Sequence, residues 1–346
     1  MKSIQKASKI LVVDAGGTIA QIRDKATGKL TYSINKDGEA TIFLTKQQQR
    51  ILRKISDFES VFYTNKDSTE FGTEDWANIA KIIYRNGTDY SSFIVTHGTA
   101  TMCFTSSALS FMLWDLRKPV VFTGSQLPMC DSMTLGKTDA WNNLLNSFLV
   151  ASSIGVNEIS IVFGSKIFRG NRTTKVSMFD FDAYNSPNFP VLGRIGAGIE
   201  YTPYNFLEER FEPRKWYSNR FSINSNVGLL KLHPGLTERL LRQILETDID
   251  ALVIESYIPG LIPTKFEHVL RDCKKKVIAV CCQLGFGRDY SLLNLDHQRH
   301  DYFLPAYDMT AECAVSKLMW VLGQTKSMQE IRQLFCSNIA GEVTEP

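Results

Sequence analysis

Two apolar runs, each followed by a loop that carries a threonine, constrain the fold of this chain most strongly. Residues 10–13 read I-L-V-V and lead into A-G-G-T-I-A at 15–20. Residues 93–96 read F-I-V-T and lead into H-G-T-A-T-M at 97–102. Short runs rich in β-branched residues that end at glycine are typical of buried parallel strands. Because ligands bind at the carboxyl ends of the strands in open α/β sheets, the two loops predict one shared site.

Strand-like and helix-like segments alternate along the rest of the chain. This alternation predicts an α/β fold with a doubly wound, mainly parallel sheet in a larger N-terminal domain. The alternation is interrupted at 202–222, where aromatic and charged residues are frequent, and it resumes at 227–232 in what we expect to be a smaller α/β domain. We therefore predict an N-terminal catalytic domain at 1–205, a linker at 206–224 and a C-terminal domain at 225–346.

Apolar residues at helical spacing predict the helices of both domains. The predicted helices are Thr73–Arg85, Phe104–Leu116, Asp139–Ala151, Leu236–Glu246, Lys265–Lys274, Thr310–Gly323 and Ser327–Ser337. The polar stretch at 21–40 contains two glycines and predicts either a mobile flap or a hairpin over the site. The segment at 169–175, R-G-N-R-T-T-K, is predicted to be a loop after the strand at 159–163.

The composition argues against several classes of protein. Hydrophobic residues make up 44% of the 346 residues and charged residues 22%, which is usual for a soluble globular protein. The net charge of +3 is too small to indicate a dedicated nucleic-acid surface. No run approaches the roughly 18 apolar residues of a membrane helix, and no apolar signal segment precedes the first strand. The seven cysteines have no C-x-x-C spacing, so we expect reduced thiols in a cytoplasmic protein.

Thr18 is the first candidate for chemistry, because it follows two glycines at a strand end. Glycines there leave backbone N–H groups free to stabilise an oxyanion, and a threonine hydroxyl becomes a nucleophile when a neighbouring group activates it. The same pattern also fits a tight turn with a capping threonine, or a phosphate-binding loop. The chain has no G-x-G-x-x-G or G-x-x-x-x-G-K-[ST] pattern, which argues against nucleotide binding.

Lys175 is the second candidate. A lysine beside a threonine hydroxyl can lower the pKa of that hydroxyl or accept its proton. A solvated surface charge and a small phosphate-binding patch remain alternatives for Lys175. Ser68, taken alone, fits a loop or capping element before a helix, and His97 is expected to be structural.

Taken together, these segments resemble the bacterial-type asparaginase family. The loop at 15–20 resembles the family motif T-G-G-T-I-[AG], and the loop at 97–102 resembles H-G-T-D-T-M. The resemblance runs from about Lys9 to Val343, and the R-G-N-R-T-T-K stretch points to the cytoplasmic branch of the family. Further matching segments follow in the family's order and spacing at 123–128, 139–144, 169–175, 256–257 and 308–310.

The resemblance implies an amidohydrolase that converts L-asparagine to L-aspartate and ammonia, without a metal or an organic cofactor. It implies that Thr18 is the nucleophile that forms an acyl-enzyme, and that Thr99 and Lys175 form a second catalytic group. Tyr32 is the implied catalytic tyrosine of the flap. Family sites are completed by a second subunit, which implies a homodimer or homotetramer. The implied substrate-binding residues are Asp67, Ser68, Thr69, Gly98 and Ala100.

Ala100 is the largest departure from the family pattern, which has an aspartate there. That aspartate pairs with the lysine and contacts the ammonium group of the substrate, and such a charge-assisted contact contributes about 1.5–3 kcal/mol. Smaller departures are Ala15, Leu261 and Cys282. Two alternatives therefore stay open besides an asparaginase. One is a weak or inactive member that binds an amino acid or a protein partner, and the other is an amidase for another small amide.

Overall fold

A computed structural model describes most of the chain. The described residues are 9–24, 26–34, 40–41, 44–129, 137–153, 155–207, 219–258, 260–272, 276–283 and 303–344. The chain divides into two compact units. The first comprises Met1–Ser186 and Pro190–Glu208, and the second comprises Pro187–Phe189 and Glu209–Pro346. No helix in the described ranges is long and apolar enough to cross a membrane.

The first unit contains a large sheet and the helices that cover it. Its strands are β1 (Ile10–Ala15), β2 (Gln21–Arg23), β3 (Leu30–Ile34), β4 (Ala40–Thr41), β5 (Phe58–Phe62), β6 (Ser92–His97), β7 (Val120–Thr123), β8 (Ile159–Phe163), β9 (Lys166–Arg169), β10 (Thr174–Lys175), β11 (Tyr184–Asn185), β12 (Gly193–Ile195) and β13 (Ile199–Tyr201). Its helices are α1 (Lys46–Ile55), α2 (Thr73–Arg85), α3 (Met102–Met112) and α4 (Ala140–Ala151).

Eight of the described strands form one sheet in the order β13-β12-β9-β8-β7-β6-β1-β5. The five strands from β8 to β5 are parallel, whereas β9, β12 and β13 join antiparallel. Strand β1 lies between β5 and β6, so Ile10 is paired with Phe58 on one side and with Ser92 on the other. The chain therefore reverses its direction of winding at β1. Loops at such a reversal diverge and leave a crevice at the carboxyl ends of the strands.

The central strands are buried on both faces, which explains their continuous apolar runs. Every residue of β1, β6, β7 and β8 is buried, including Val13, Ile94, Val95 and Phe122, none of which is exposed. Burial of this kind is the main contribution to the stability of the unit, at about 25 cal/mol per Å² of apolar surface. The rigid centre of the sheet therefore supports the loops that follow β1 and β6.

The second unit is a smaller parallel sheet with helices. Its strands are β14 (Val227–Lys231), β15 (Ala251–Ser256), β16 (Val277–Cys282) and β17 (Phe303–Pro305), and its helices are α5 (Glu238–Glu246), α6 (Thr264–Asp272), α7 (Ala311–Gln324) and α8 (Met328–Cys336). These four described strands pair in chain order, all parallel. Leu252 and Ile278, on neighbouring strands, share one apolar cluster with Leu241 of α5 and Phe266 of α6.

A fully buried ion pair ties the end of the second unit to helix α7. Lys317 and Glu342 are both unexposed and form an ion pair. Lys317 also donates to the Ser337 carbonyl oxygen at 2.5 Å, and the Glu342 carboxylate accepts hydrogen bonds from the backbone N–H groups of Ile339 and Ala340. Lys317 and these N–H groups lower the pKa of Glu342 even though burial opposes its charge.

The predicted fold class is confirmed by this architecture. The predicted helices agree with the structure to within about two residues at most ends. The exception is the helix predicted at Phe104–Leu116, which begins at Met102 and ends at Met112. Residues 273–275 and most of the predicted linker at 206–224 lie outside the described residues. In the described part of 21–40, β2 pairs antiparallel with β3 as a hairpin.

The prediction of a loop over the whole of 169–175 is wrong. Strand β9 turns back antiparallel to β8 and ends at Arg169, a 3-10 turn follows at 170–172, and Lys175 ends the short strand β10. Helix α1 and strand β5 were not predicted at all. Helix α1 buries only Leu52, and β5 lies at the edge of the sheet with no fully buried residue, so neither has an apolar run.

Candidate active site

The loop after β1 can be formed only with glycines. Gly16 and Gly17 have φ angles of 80° and 81°, which side-chain-bearing residues rarely adopt. A Cβ atom on Gly17 would lie 2.5 Å from the backbone nitrogen of Gly98, in the loop after β6. The buried Asp14 carboxylate accepts hydrogen bonds from the Gly16 N–H at 3.1 Å and from the Thr96 hydroxyl at 2.9 Å. The first two loops are therefore held in direct backbone contact.

A third loop packs against the second. A Cβ atom on Gly98 would lie 2.5 Å from the Ser68 hydroxyl oxygen. The Thr101 hydroxyl donates to the Ser68 carbonyl oxygen at 2.7 Å. Ser68 begins a 3-10 turn, capped by Asp67, in the segment that follows β5. The structure thus brings together the three loops that carry Thr18, Thr99 and Ser68.

Three hydroxyl groups in or beside these loops have no well-formed hydrogen bond within the described part of the chain. The Thr18 hydroxyl, at the start of a 3-10 turn, is one, and the Thr18 side chain is partly exposed. The Ser68 hydroxyl is another, although Ser68 is only 2% exposed. The Tyr32 hydroxyl is buried near Gly17 and Gln21 without a well-formed hydrogen bond, and burial raises the pKa of Tyr32. Hydroxyls left open in this way are available to a ligand.

Lys175 and Thr99 are in direct contact. The Lys175 ammonium donates to the Thr99 hydroxyl oxygen at 2.7 Å. Burial lowers the pKa of Lys175, opposed only by the nearby Cys103. Within the described residues, no carboxylate lies at ion-pair distance from Lys175. A lysine of this kind is closer to the neutral, proton-accepting form than a lysine in water.

Tyr184 also holds Thr99. Strands β10 and β11 form a two-residue antiparallel ribbon in which Lys175 is paired with Tyr184. The Tyr184 hydroxyl donates to the Thr99 carbonyl oxygen at 2.8 Å. Neither Tyr184 nor the Thr101 contact with Ser68 was predicted from the sequence, because a ribbon of two residues has no periodicity and a single tyrosine carries no motif.

The acidic groups of the site are engaged elsewhere or lie on its surface. Asp67 accepts hydrogen bonds from the Thr69 backbone N–H at 2.9 Å and the Thr69 hydroxyl at 2.7 Å, and these bonds lower the pKa of Asp67. Glu70 is exposed, as is Ala100, which presents only a methyl group next to Thr99. The described residues contain no group of three or more His, Cys, Asp or Glu side chains placed to hold a metal ion.

His97 has the structural role that the sequence predicted. It is fully buried, and burial lowers its pKa to about 4, so the ring is neutral near neutral pH. Its Nδ1 atom lies 2.8 Å from the Gly98 carbonyl oxygen, which only accepts, so Nδ1 carries the proton. Nε2 then accepts from the Thr105 hydroxyl at 3.0 Å, and the ring packs edge-on against Phe71. His97 thereby fixes the loop after β6.

Known protein families match most of the chain. Residues 9–205 match the family model described as "Asparaginase, N-terminal", and residues 226–335 match "Glutaminase/Asparaginase C-terminal domain". The chain is 32% identical to L-asparaginase 1 of Escherichia coli strain K12 over 348 residues, covering 99% of each protein.

Two solved structures are similar over nearly the whole chain. The thermostable L-asparaginase from Thermococcus kodakarensis superposes with a TM-score of 0.76 at 30% identity, over 98% of this chain and 100% of that one. L-asparaginase I from Vibrio cholerae superposes with a TM-score of 0.79 at 27% identity, with the same coverage.

Proposed function

The chain belongs to the asparaginase family, and we propose that it hydrolyses the side-chain amide of L-asparagine to L-aspartate and ammonia with Thr18 as the nucleophile. The chain is an asparaginase-type amidohydrolase. The observation that carries the proposed mechanism is the 2.7 Å hydrogen bond between Lys175 and Thr99. The loop that carries Thr99 also lies against the turn at Gly17, directly before Thr18.

In the first proposed step, the Thr18 hydroxyl oxygen attacks the amide carbon. A C–O bond forms, the carbonyl electrons move onto oxygen, and the hydroxyl proton passes to a neighbouring base. Backbone N–H groups of the glycine loops stabilise the oxyanion. When the tetrahedral intermediate collapses, the C–N bond breaks and the nitrogen leaves as ammonia after it has gained a proton. The product is an ester of the substrate acyl group on Thr18.

In the second proposed step, water attacks the carbonyl carbon of this ester. The C–O bond to Thr18 breaks, the acyl group leaves as L-aspartate, and the Thr18 oxygen regains its proton. The Thr99–Lys175 pair supplies the base that removes a proton from the attacking group. The lowered pKa of Lys175 supports this role, because a general base is most effective when its pKa lies near the working pH. A neutral lysine amine can take up the proton that a fully charged one cannot.

The remaining site residues are proposed to bind the substrate. Tyr32 is proposed to assist catalysis from the β2–β3 hairpin, where its hydroxyl lies near Gly17. The proposed contacts to the α-carboxylate and α-amino groups come from Asp67, Ser68 and Thr69, with Gly98 and Ala100 beside them. The open hydroxyl of Ser68 supports this assignment.

The site differs from the family pattern in one respect that favours a second candidate function. Ala100 supplies no carboxylate to Lys175 or to a substrate ammonium group. We therefore expect weak binding and slow turnover of L-asparagine. A weakly active or inactive binding protein, or an amidase for another small amide, is the alternative that this observation supports.

Assembly and location are also proposals. Resemblance to the family supports a homodimer or homotetramer in which the Thr18 loop lies near residues 256–263 of a neighbouring chain. It also supports a cytoplasmic protein without a nucleic-acid or membrane partner, and a division into domains at 1–205 and 225–346 joined by 206–224. Light scattering tests the assembly, and a stable monomer with full activity would contradict it.

Ammonia release from a panel of small amides tests the proposed function. The panel contains L-asparagine, L-glutamine and an amide without an α-amino group, such as succinamate. Release from L-asparagine supports the proposal, whereas release only from another amide supports the alternative amidase. Thermal stabilisation by these ligands without any ammonia would instead indicate a binding protein.

A further inference from the structure

Lys175 and Tyr184 each donate a hydrogen bond to an oxygen atom of Thr99. Lys175 donates to the Thr99 hydroxyl oxygen at 2.7 Å, and Tyr184 donates to the Thr99 carbonyl oxygen at 2.8 Å. The two side chains come from directly opposed positions of the β10–β11 ribbon. Opposed residues of an antiparallel pair project from the same face, with their Cβ atoms about 5 Å apart. The ribbon therefore presents a matched pair of donors to Thr99.

Tyr184 is suited to fix the position of an atom. It is 1% exposed, and its ring packs edge-on against Phe163 at the end of β8, with the ring centres 4.9 Å apart. Burial raises the pKa of Tyr184 well above its ordinary value, so the hydroxyl stays protonated and remains a donor. A packed aromatic side chain with two torsion angles places its hydroxyl with little freedom.

Side-chain hydrogen bonds hold the turn that carries Thr99. Thr99 lies between β6 and α3, outside any strand or helical ladder. On its other side, the turn is held by the Thr101 hydroxyl on the Ser68 carbonyl oxygen. Ala100, between Thr99 and Thr101, offers no polar side chain to anchor the turn.

We propose that Tyr184 is a positioning residue. Its hydroxyl holds the Thr99 backbone and thereby keeps the Thr99 hydroxyl within hydrogen-bond distance of Lys175. This inference rests on the proposed role of the Thr99–Lys175 pair in amide hydrolysis. Tyr184 itself touches no reacting atom and acts through Thr99. Small displacements of a catalytic group lower the rate of the chemical step more than they weaken binding of the substrate.

Tyr184→Phe tests the proposal, because it removes one oxygen atom and keeps the ring that packs on Phe163. We expect kcat to fall about tenfold with KM unchanged within about twofold. Tyr201→Phe is the matched control. This variant also removes a tyrosine hydroxyl, which contacts Ser153 beside the edge strand β13. It should leave kcat and KM unchanged.

The pH profile separates positioning from general loosening of the fold. If Thr99 shifts away from Lys175, water reaches the ammonium group and the pKa of Lys175 returns toward its ordinary value. The rising limb of kcat/KM should then move to higher pH in Tyr184→Phe and stay in place in Tyr201→Phe. Among the described residues, Cys103 is the titratable group that influences the pKa of Lys175, so the pH profile of Cys103→Ala should be measured as well.

Amide hydrogen exchange of residues 98–104 provides a readout that does not need turnover. We expect faster exchange in this segment in Tyr184→Phe and not in Tyr201→Phe. Unchanged exchange together with an unchanged kcat and pH profile in folded Tyr184→Phe would overturn the positioning role, while ammonia release by the wild type would still support the proposed function. If the wild type released no ammonia from any amide, the proposed function would fail, and the exchange measurement alone would decide the role of Tyr184.

Discussion

Lys175 donates a 2.7 Å hydrogen bond to the Thr99 hydroxyl and has no carboxylate at ion-pair distance among the described residues. This contact joins the loop after β6 to the short strand β10, two segments that are 76 residues apart in the chain. With alanine at position 100, the Lys175 ammonium has a neutral hydroxyl beside it, and no carboxylate, among the described residues. In the proposed mechanism, the chemistry of the site depends on how readily Lys175 gives up and accepts a proton.

Restoring the missing acid should increase asparaginase activity. Ala100→Asp provides a carboxylate beside Thr99 for the substrate ammonium group. Recovery of about 1.5–3 kcal/mol corresponds to an increase in kcat/KM for L-asparagine of about one to two orders of magnitude. Ala100→Asn is the matched control, since it has the same size without the charge and should give little gain. An unchanged rate in a folded Ala100→Asp protein would mean that the site serves a different ligand.

Activity should depend on a neutral Lys175. Because burial lowers the pKa of Lys175, kcat/KM should rise with pH as Lys175 loses its proton, with a midpoint below the ordinary lysine pKa of about 10.4. Lys175→Arg keeps the charge but cannot accept a proton, and it should lower kcat by at least about a hundredfold. Lys166→Arg is the control, because Lys166 forms an ion pair with Asp182, and this substitution should leave kcat unchanged. A Lys175→Arg protein with normal kcat would exclude Lys175 as the base.

The buried ion pair of the second unit should contribute strongly to stability. Glu342→Gln removes the carboxylate charge that faces the buried Lys317 ammonium, which should lower the free energy of unfolding by about 3–5 kcal/mol. Glu267→Gln, which breaks a surface pair with Arg271, should change it by less than about 1 kcal/mol. Denaturant unfolding measures both, and similar values for the two variants would contradict this assignment.

The same pair predicts a pH dependence of stability. The pKa of Glu342 is lower in the folded chain than in the unfolded chain. The contribution of the Glu342 charge to the free energy of unfolding is therefore present above the unfolded glutamate pKa of about 4.3. It is lost as the pH falls through the pKa of Glu342 in the folded chain. The acid side of the unfolding profile should become flatter in Glu342→Gln than in the wild type.

The centre of the fold and the two threonine loops could be predicted from the sequence, for a physical reason. Strands buried on both faces need continuous apolar runs, and a turn with positive φ angles next to another backbone needs glycine, as at Gly16 and Gly17. Both requirements act on neighbouring residues, so the sequence records them directly.

The parts that could not be predicted depend on contacts between distant residues. Strand β5 is recognisable only by its pairing with β1, because its own residues are half exposed. The ribbon that brings Lys175 and Tyr184 to Thr99 has two residues in each strand and no pattern of its own. Likewise, the sequence shows that position 100 lacks an acid, but only the structure shows which residues surround Lys175.

The central claim, that Thr18 is the acylated nucleophile, is tested most directly by ammonia release from Thr18→Val beside the wild type. Valine keeps the volume and branching of threonine and removes the hydroxyl that would attack the amide. We predict that Thr18→Val, like Thr18→Ala, unfolds at the same temperature as the wild type within a few degrees and releases no ammonia above background. A folded Thr18→Val protein that released ammonia at the wild-type rate would contradict the account.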